Sequence, residues 1–394
     1  GQDFLYLSGV GEAGIALLLV PGEDGDLAVD ELLVPPYSRF NATWNGDFLA
    51  PGDASAERTG FATAGNVRAL AGRLEELLAA DAAGQRPVLY TLTRPAPRIG
   101  STPSTAAGSA RAVERDAFDG RTSREGALQQ ALTTKFDGLR IEGLEPLLGA
   151  QRARKSERER ELLRASTAIA AEGIAEAMRS ARPGMFEYQV AAVARYVFSL
   201  RGAGPDAYAA IVGGGPNGCV LHYSACTRRL REDDLVVMDY AATLHGYASD
   251  VTRTFPASGR FSPEQRKLVT DVFEIQHELL AMVKPGARLS AIGRRCNELL
   301  RERGYRSDHG PCHHVGLAVH DPSVDELEPG MVITVEPGAY LRDEGMGCRI
   351  EDTVLVTADG CENLSGHLPA SPDAIEALMA EAGLAAVPVG SAAR

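Results

Sequence analysis

The feature that most constrains this chain is a repeat in its second half. Arg182–Pro183–Gly184 is echoed by Lys284–Pro285–Gly286, and a helical stretch follows each. Each half then carries an apolar strand ending in a carboxylate, VVMD at Asp239 and VITVE at Glu336. Each also has a second carboxylate on a returning strand, Asp250 and Glu351. Asp239 and Glu336 are 97 residues apart, and Asp250 and Glu351 are 101 apart. Two αβ halves of this kind, facing each other, bring four acids to one place between them. The bland alternative is four unrelated solvated acids, and the shared layout argues against it.

The first half shows the logic in LREDDLVVMDYAATLHGYASDVTRTF, residues 230–255. A β-rich run, Leu235 to Met238, ends in Asp239, and a turn follows around Thr243–Gly246. Asp239 lies five residues before Leu244 and Asp250 five after His245. A hairpin centred there sets the two carboxylates opposite each other, with Cβ atoms about 4.5–5.5 Å apart. Like charges that close leave two outcomes: one carboxyl keeps its proton, or a cation sits between them. A solvated turn with two surface acids is the alternative.

Burying four ionised carboxylates without compensation costs many kcal/mol, so such a cluster shifts its pKa values or binds cations. Two divalent metals balance four charges, and oxygen-rich ligation with one imidazole suits Mn, Co, Fe or Zn. The imidazole is expected from HGPCHHVGLAVHD, which holds His309, His313, His314 and His320, four of the eight histidines. A separate zinc site at Cys312, His313 and His314 is disfavoured, since adjacent side chains diverge and no second Cys is suitably spaced. Two metals about 3.5–4 Å apart hold a bridging hydroxide at neutral pH and polarise a carbonyl, which predicts hydrolysis. There is no GxSxG or Walker loop, and Gly213–Gly214–Gly215 is only a turn-like run.

A chain of 394 residues exceeds one ordinary core and suggests two domains. The polar run QRARKSERER, 151–160, reads as an exposed helix start and marks the boundary, giving domains 1–150 and 151–394. In the first, Phe4–Leu7, Ile15–Val20 and Val88–Thr91 read as strands, and Val67, Leu70, Leu74, Leu77 and Leu78 form the one helix, stopped by Gly84. This is a small α/β domain whose start is truncated, with at least one strand lost. Residues 95–110 read as a loop or mobile insertion. The one tryptophan, Trp44, lies in turn-rich TWNGDFLAPG and either packs at the domain edge or lines a site. In the second domain one helix runs through Leu162, Leu163, Ile169 and Ile174, and another from Phe186 to Leu200. A third starts at Ser262–Pro263, and a fourth spans Ile292–Arg303.

The net charge of -13 gives no electrostatic case for nucleic acid or an anionic membrane. No apolar run approaches the ~20 residues of a membrane helix. The six cysteines form no CxxC pair and are absent from the first 218 residues, a pattern of reduced structural thiols that fits a cytoplasmic protein. The chain begins at Gly1 without a Met, so a processed N-terminus and a removed signal peptide stay open.

From about Arg154 to Met379 the chain resembles the pita-bread metallopeptidases, and within them the proline-specific aminopeptidases (aminopeptidase P, or Xaa-Pro aminopeptidase). RPGMFEY (182–188), NGCVLHY (217–223), MDYAATLHGYASDVTRTFP (238–256), the His-rich stretch, EPGMVITVEPG (328–338) and CRIED (348–352) carry the resemblance. Residues 1–95 are similar, more weakly, to that family's N-terminal domain. The resemblance implies an α+β pita-bread fold, two pseudo-symmetric halves around a curved antiparallel sheet, behind a smaller α/β domain. It implies two divalent ions, usually Mn2+ with Co2+ or Zn2+ as alternatives, on Asp239, Asp250, His313, Glu336 and Glu351. Asp250 and Glu351 would bridge both ions. His222 and His320 match the family's active-site histidines that bind no metal, and Glu336 would carry the proton of the attacking water. His309 and Arg349, with Trp44, form the substrate-binding candidates. The implied substrates are peptides with proline at the second position, and the implied assembly is a homodimer or homotetramer.

The chain departs from that family at His314, where a bulky apolar or aromatic residue is usual, and at Cys312 and Cys348, which flank ligand positions. The loop DPSVDELE, 321–328, is short and lacks an arginine often found there. A dipeptide-only prolidase is the alternative enzyme, and a non-catalytic peptide-binding relative the alternative class. Creatinase-type enzymes lack the carboxylate set, and the large N-terminal domain disfavours a methionine aminopeptidase.

Overall fold

The computed structural model describes residues 1–22, 25–81, 84–95, 102–306 and 308–384. The chain divides into two compact units, residues 1–95 with 103–148, and the chain from Gly149 onward.

The N-terminal unit is α/β. Its elements are α1 (Gln2–Ser8), β1 (Ala16–Pro21), β2 (Leu27–Val34), α2 (Arg39–Asn45), α3 (Asp53–Thr59), β3 (Thr63–Asn66), α4 (Leu70–Leu77) and β4 (Leu89–Thr91). They continue with α5 (Pro103–Arg115), α6 (Arg124–Lys135), β5 (Ile141–Gly143) and α7 (Glu145–Ala153), within which the chain enters the second unit. β1 pairs antiparallel with β2, while β2–β3 and β4–β5 are parallel. Two expectations are corrected here. Phe4–Leu7 lies inside α1, and the described residues up to 95 hold four α-helices, not one. Gly9, with φ 66, closes α1 by donating its N–H to Leu5, so a helix stop stands where an apolar tetrad alone suggests a strand. Of the expected loop 95–110, residues 103–110 belong to α5 and residues 96–101 lie outside the described residues.

The C-terminal unit is α+β. Its first half holds α8 (Glu157–Ser180), α9 (Glu187–Leu200), β6 (Ile211–Gly214), β7 (Leu235–Asp239), β8 (Thr243–Leu244), β9 (Tyr247–Ala248) and β10 (Thr252–Pro256). The second half holds α10 (Pro263–Met282), α11 (Leu289–Glu302), β11 (Val332–Val335), β12 (Gly338–Leu341), β13 (Met346–Arg349), β14 (Asp352–Val356), β15 (Cys361–Asn363) and α12 (Pro372–Met379). All pairings between these strands are antiparallel, in the orders β10-β7-β6 and β11-β14-β15, with β12-β13 and β8-β9 as hairpins.

The repeat is physical. In each half a long helix ends, a Pro-Gly turn follows with the glycine at positive φ (91 at Gly184, 79 at Gly286), and a 14-residue helix begins three residues later. Two apolar cores serve the unit, each drawn mainly but not wholly from one half. One packs Ile174, Val190, Phe198, Val236 and Phe255, and the other Val272, Leu299, Ile333, Val335 and Val354. The halves meet edge to edge at a backbone bridge, Thr252 with Glu351, where each residue's N–H donates to the other's carbonyl (3.4 and 3.1 Å).

The run 151–160 is not simply an exposed helix start. Ser156 caps α8 through a capping box with Glu159, as a solvated start should. Arg152 and Lys155, however, are buried on Asp321. Helices α8 and α9 approach closely at Gly173, where a Cβ would lie 2.4 Å from the Phe198 ring and 3.1 Å from the Ala194 carbonyl. Phe198 is itself buried against Tyr240, so it has nowhere to turn. Gly173→Ala is therefore expected to destabilise the unit by about 1–3 kcal/mol despite the better helix propensity of Ala, read as a lower melting temperature.

Candidate metal centre

The C-terminal unit encloses a cavity of about 460 Å³. Nine of the ten candidate residues line it: His222, Asp239, Asp250, His309, His313, His320, Glu336, Arg349 and Glu351. The tenth, Trp44, stands on α2 of the N-terminal unit, exposed, with its ring tilted against Phe40.

The acids arrive by strand register. β10 pairs with β7 so that Thr252, not Asp250, faces Asp239. The turn is the reason. Thr243 pairs with Ala248 and Leu244 with Tyr247, leaving His245 and Gly246 as a two-residue loop with φ 49 and 87. The hairpin centre thus lies one residue further on than symmetry about Leu244–His245 suggests, and the partner slips by two. A slip of two keeps the side chain on the same face, so Asp250 still reaches the cavity. In the second half no slip occurs. Val335 pairs with Asp352, and the next positions in that register are Glu336 and Glu351.

His313 Nε2 lies 3.4 Å from Asp250 Oδ2 and 3.4 Å from Glu336 Oε1. One donor atom each from Asp250, His313 and Glu351 fall within 4.8 Å of one another. Arg349 donates to Asp239 Oδ2 (2.8 Å) and to the Tyr340 hydroxyl (2.9 Å). Tyr340 in turn meets His309 Nε2 at 2.9 Å, and His309 Nδ1 is 3.6 Å from Glu336 Oε2. His320 stacks at a tilt on His313, ring centroids 4.4 Å apart, and its buried Nδ1 has no hydrogen-bond partner among the described residues. His314 turns away from the cavity and holds the loop behind it, its Nε2 2.9 Å from the Val324 carbonyl.

The charges do not balance among the side chains. Four carboxyls face one guanidinium. Burial first, and then the neighbouring carboxylates, push Asp250 and Glu351 well above the usual range. Burial and Glu351 push Glu336 up to about 8. Burial also holds His309 and His320 down to about 4, so both rings are neutral near pH 7. Burial works against the charge of Arg349, yet Tyr340, Asp239, Glu336 and Glu351 together drive its pKa up.

These residues fit divalent metal. Among the described residues Asp239 Oδ1 is buried without a partner, though its other oxygen is held by Arg349. A buried acceptor with nothing to accept is costly, and a cation satisfies it. The donor set is carboxylate-rich with one imidazole, a mixture suited to borderline-hard divalent ions.

Three residues around the cavity carry no obvious sequence signal. Tyr208 donates to Asp250 Oδ1 (2.6 Å), and burial raises its own pKa well above that of an ordinary phenol. Thr252 donates to Glu351 Oε2 (2.6 Å), so a residue of one half orients an acid of the other. Tyr340 links His309 to Arg349. Of the three only Thr252 was findable, because two positions beyond Asp250 it shares that residue's face.

Residues 161–358, half of the chain, match the sequence profile of metallopeptidase family M24. The chain belongs to that family. Residues 1–85 match the aminopeptidase P N-terminal domain. The M24 unit therefore has the pita-bread fold and follows in the chain an α/β domain of the aminopeptidase P type, and family membership brings divalent-metal use with it. The chain is 36% identical to the Xaa-Pro aminopeptidase of Escherichia coli (strain K12) over 271 residues, covering 60% of this chain and 62% of that protein. It is 34% identical to the Xaa-Pro dipeptidase of Pyrococcus furiosus over 219 residues, 54% of this chain and 62% of that one. The matches thus span about six-tenths of these relatives' lengths. A solved zinc-substituted E. coli aminopeptidase P in complex with product superposes with TM-score 0.79 at 29% identity, over 96% of this chain and 88% of that one. Among the described residues no helix is long and apolar enough to cross a membrane.

Proposed function

We propose that this M24 chain is a dinuclear metal-dependent aminopeptidase that hydrolyses the bond between an N-terminal residue and a following proline. The observation that carries the reading is the convergence of four carboxyls and His313 on one cavity, with a buried Asp239 oxygen left unpartnered among the described residues. Asp239, Asp250, His313, Glu336 and Glu351 would hold two divalent cations, Mn2+ foremost with Co2+ or Zn2+ as substitutes, supplying an activated water at neutral pH and a Lewis acid for the scissile carbonyl. By the family resemblance Asp250 and Glu351 would each serve both ions, and their donor atoms lie with that of His313 within 4.8 Å of one another. Glu336, on the cavity wall, would take the proton of the attacking water and pass it to the leaving nitrogen. His222 and neutral His320 face the cavity with ring nitrogens suited to the developing oxyanion. His309 and Arg349 fix Tyr340 between them and are assigned to the substrate side. Trp44, on the N-terminal unit, is kept as a further substrate-binding candidate.

Proline at the second position suits the cavity's apolar wall of Ile211, Leu221 and Val319, which asks for no N–H from the substrate. The second reading is an Xaa-Pro dipeptidase, favoured by the P. furiosus relative. The free cysteines suit a cytoplasmic setting, and a homodimer or homotetramer is proposed as the assembly. The deciding experiment strips the enzyme, reloads it with Mn2+, and offers Xaa-Pro, Xaa-Pro-Yaa and Xaa-Ala-Yaa. Metal-dependent release of the first residue from Xaa-Pro-Yaa, but not from Xaa-Ala-Yaa, is the expected result. Cleavage of Xaa-Pro alone moves the assignment to the dipeptidase, and no cleavage with any metal overturns the catalytic reading.

A further inference from the structure

We propose that Glu187 is a positioning residue for His222, and that the carboxylate at the start of α9 sets the geometry of the wall on which His222 stands. The inference rests on the role given to His222 above. Glu187 is fully buried. Its carboxylate accepts four hydrogen bonds, and no donor lies in its own helix. Gly214 N–H (2.9 Å) and Asn217 Nδ2 (3.0 Å) donate to Oε1. The Tyr223 hydroxyl (2.9 Å) and Arg228 N–H (2.8 Å) donate to Oε2. The four donors span residues 214–228, the segment that carries Leu221, His222 and Ser224 to the cavity.

Helix capping does not explain this carboxylate. α9 is closed by Gln189, whose side chain accepts from the Phe186 N–H at 2.8 Å. Glu187 directs all four contacts to the stretch that runs from the end of β6 to Arg228. The first turn of that stretch has a second anchor. Gly218 is packed so tightly on β13 that a Cβ at Gly347 would lie 2.1 Å from its carbonyl, and Arg342 donates to the Cys219 carbonyl at 2.8 Å.

Beyond Cys219 the chain has neither helix nor strand from Val220 to Arg228. Among the described residues no hydrogen bond holds the His222 ring itself, so its placement is inherited from its neighbours. Tyr223 is adjacent to it in the chain and is tied to Glu187 through its hydroxyl, to which Thr227 N–H also donates at 3.3 Å.

Glu187→Gln tests this directly. An amide has one acceptor oxygen, so one of the two donor pairs is left facing an N–H group. We expect kcat on an Xaa-Pro-Yaa peptide to fall about 10²-fold with KM and metal content little changed, as a misplaced catalytic group should give. Hydrogen exchange in residues 214–228 should accelerate while the rest of the unit keeps its protection. In a His222→Ala background, Glu187→Gln should bring no further loss, because the group it positions is gone. Tyr223→Phe removes one donor and leaves the carboxylate itself in place. It guards against a misfolded Gln variant and should show a smaller loss, again absent with His222→Ala. Independent, multiplying losses, or a Glu187→Gln enzyme with wild-type kcat, overturn the inference while leaving the role of His222 intact. A fully active His222→Ala enzyme overturns the role of His222 itself, and the inference with it.

Discussion

Asp250→Asn is expected to lower kcat/KM on an Xaa-Pro-Yaa peptide by about 10³-fold or more, since the electrostatic contribution of a bound metal is several kcal/mol and each 1.36 kcal/mol is tenfold. Asp250 is buried, accepts from Tyr208, and is one of the three residues whose donor atoms cluster, with His313 and Glu351. The same variant carries a signature that mere misfolding would not give. In the stripped protein four carboxyls crowd one guanidinium, so deleting one charge should raise the melting temperature. With Mn2+ added the order should reverse, because wild type gains binding energy that the variant forgoes, about 2.7 kcal/mol at a metal concentration of 100 Kd. A stripped variant no more stable than stripped wild type would count against the crowding described here.

The pH dependence has a definite sign. Glu336 is raised from 4.5 to about 8, so between those values the folded stripped protein binds more protons than the unfolded chain. Stability then falls as pH rises through that window. Metal ions, which take the place of the protons, should flatten the slope. Thermal melts of stripped and loaded protein between these limits measure it.

Asp321→Ala is expected to give the largest loss of stability. The Asp321 side chain is almost wholly buried between Arg152 and Lys155, with Lys155 Nζ 3.2 Å from Oδ2. Removing it takes a buried carboxylate away from two buried cations, which costs about 3–5 kcal/mol. Lys155 has an escape, since burial already lowers its pKa and it can shed its proton. Arg152 has none, because guanidinium stays charged. At about 2–4 °C per kcal/mol for a domain of this size, the melting temperature should drop by about 10 °C. Activity should fall as well, because Asp321 follows His320 and its own carboxylate accepts from the Ala318 N–H at 3.3 Å. A melting temperature indistinguishable from wild type would refute this account of the cluster.

Much of the site was legible because its chemistry repeats. The two Pro-Gly turns, the paired strands and the four acids stand at matching intervals, and folding set them in matching places. The family resemblance had already separated His313 from its neighbour His314, and the fold supplies the physical reason. One faces the cavity and the other packs behind it, since neighbouring side chains of an extended chain point to opposite sides.

By itself the sequence determined the two-half architecture, a helix start within 151–160 and another at Ser262, and which residue types could gather around a cation. These are set by local period, capping and charge, which act over a few residues. The tertiary structure alone decided the rest. It moved the partner of Asp239 from Asp250 to Thr252, because a turn at His245–Gly246 fixes register and symmetry of spacing does not. It buried Arg152 and Lys155 out of a run that reads as solvated, because their counter-ion lies far along the chain at Asp321. It brought Tyr208 to Asp250 across 42 residues of sequence, and Glu187 to the loop of His222 across as many as 41. Such contacts depend on which surfaces packing brings together, and no local pattern records that.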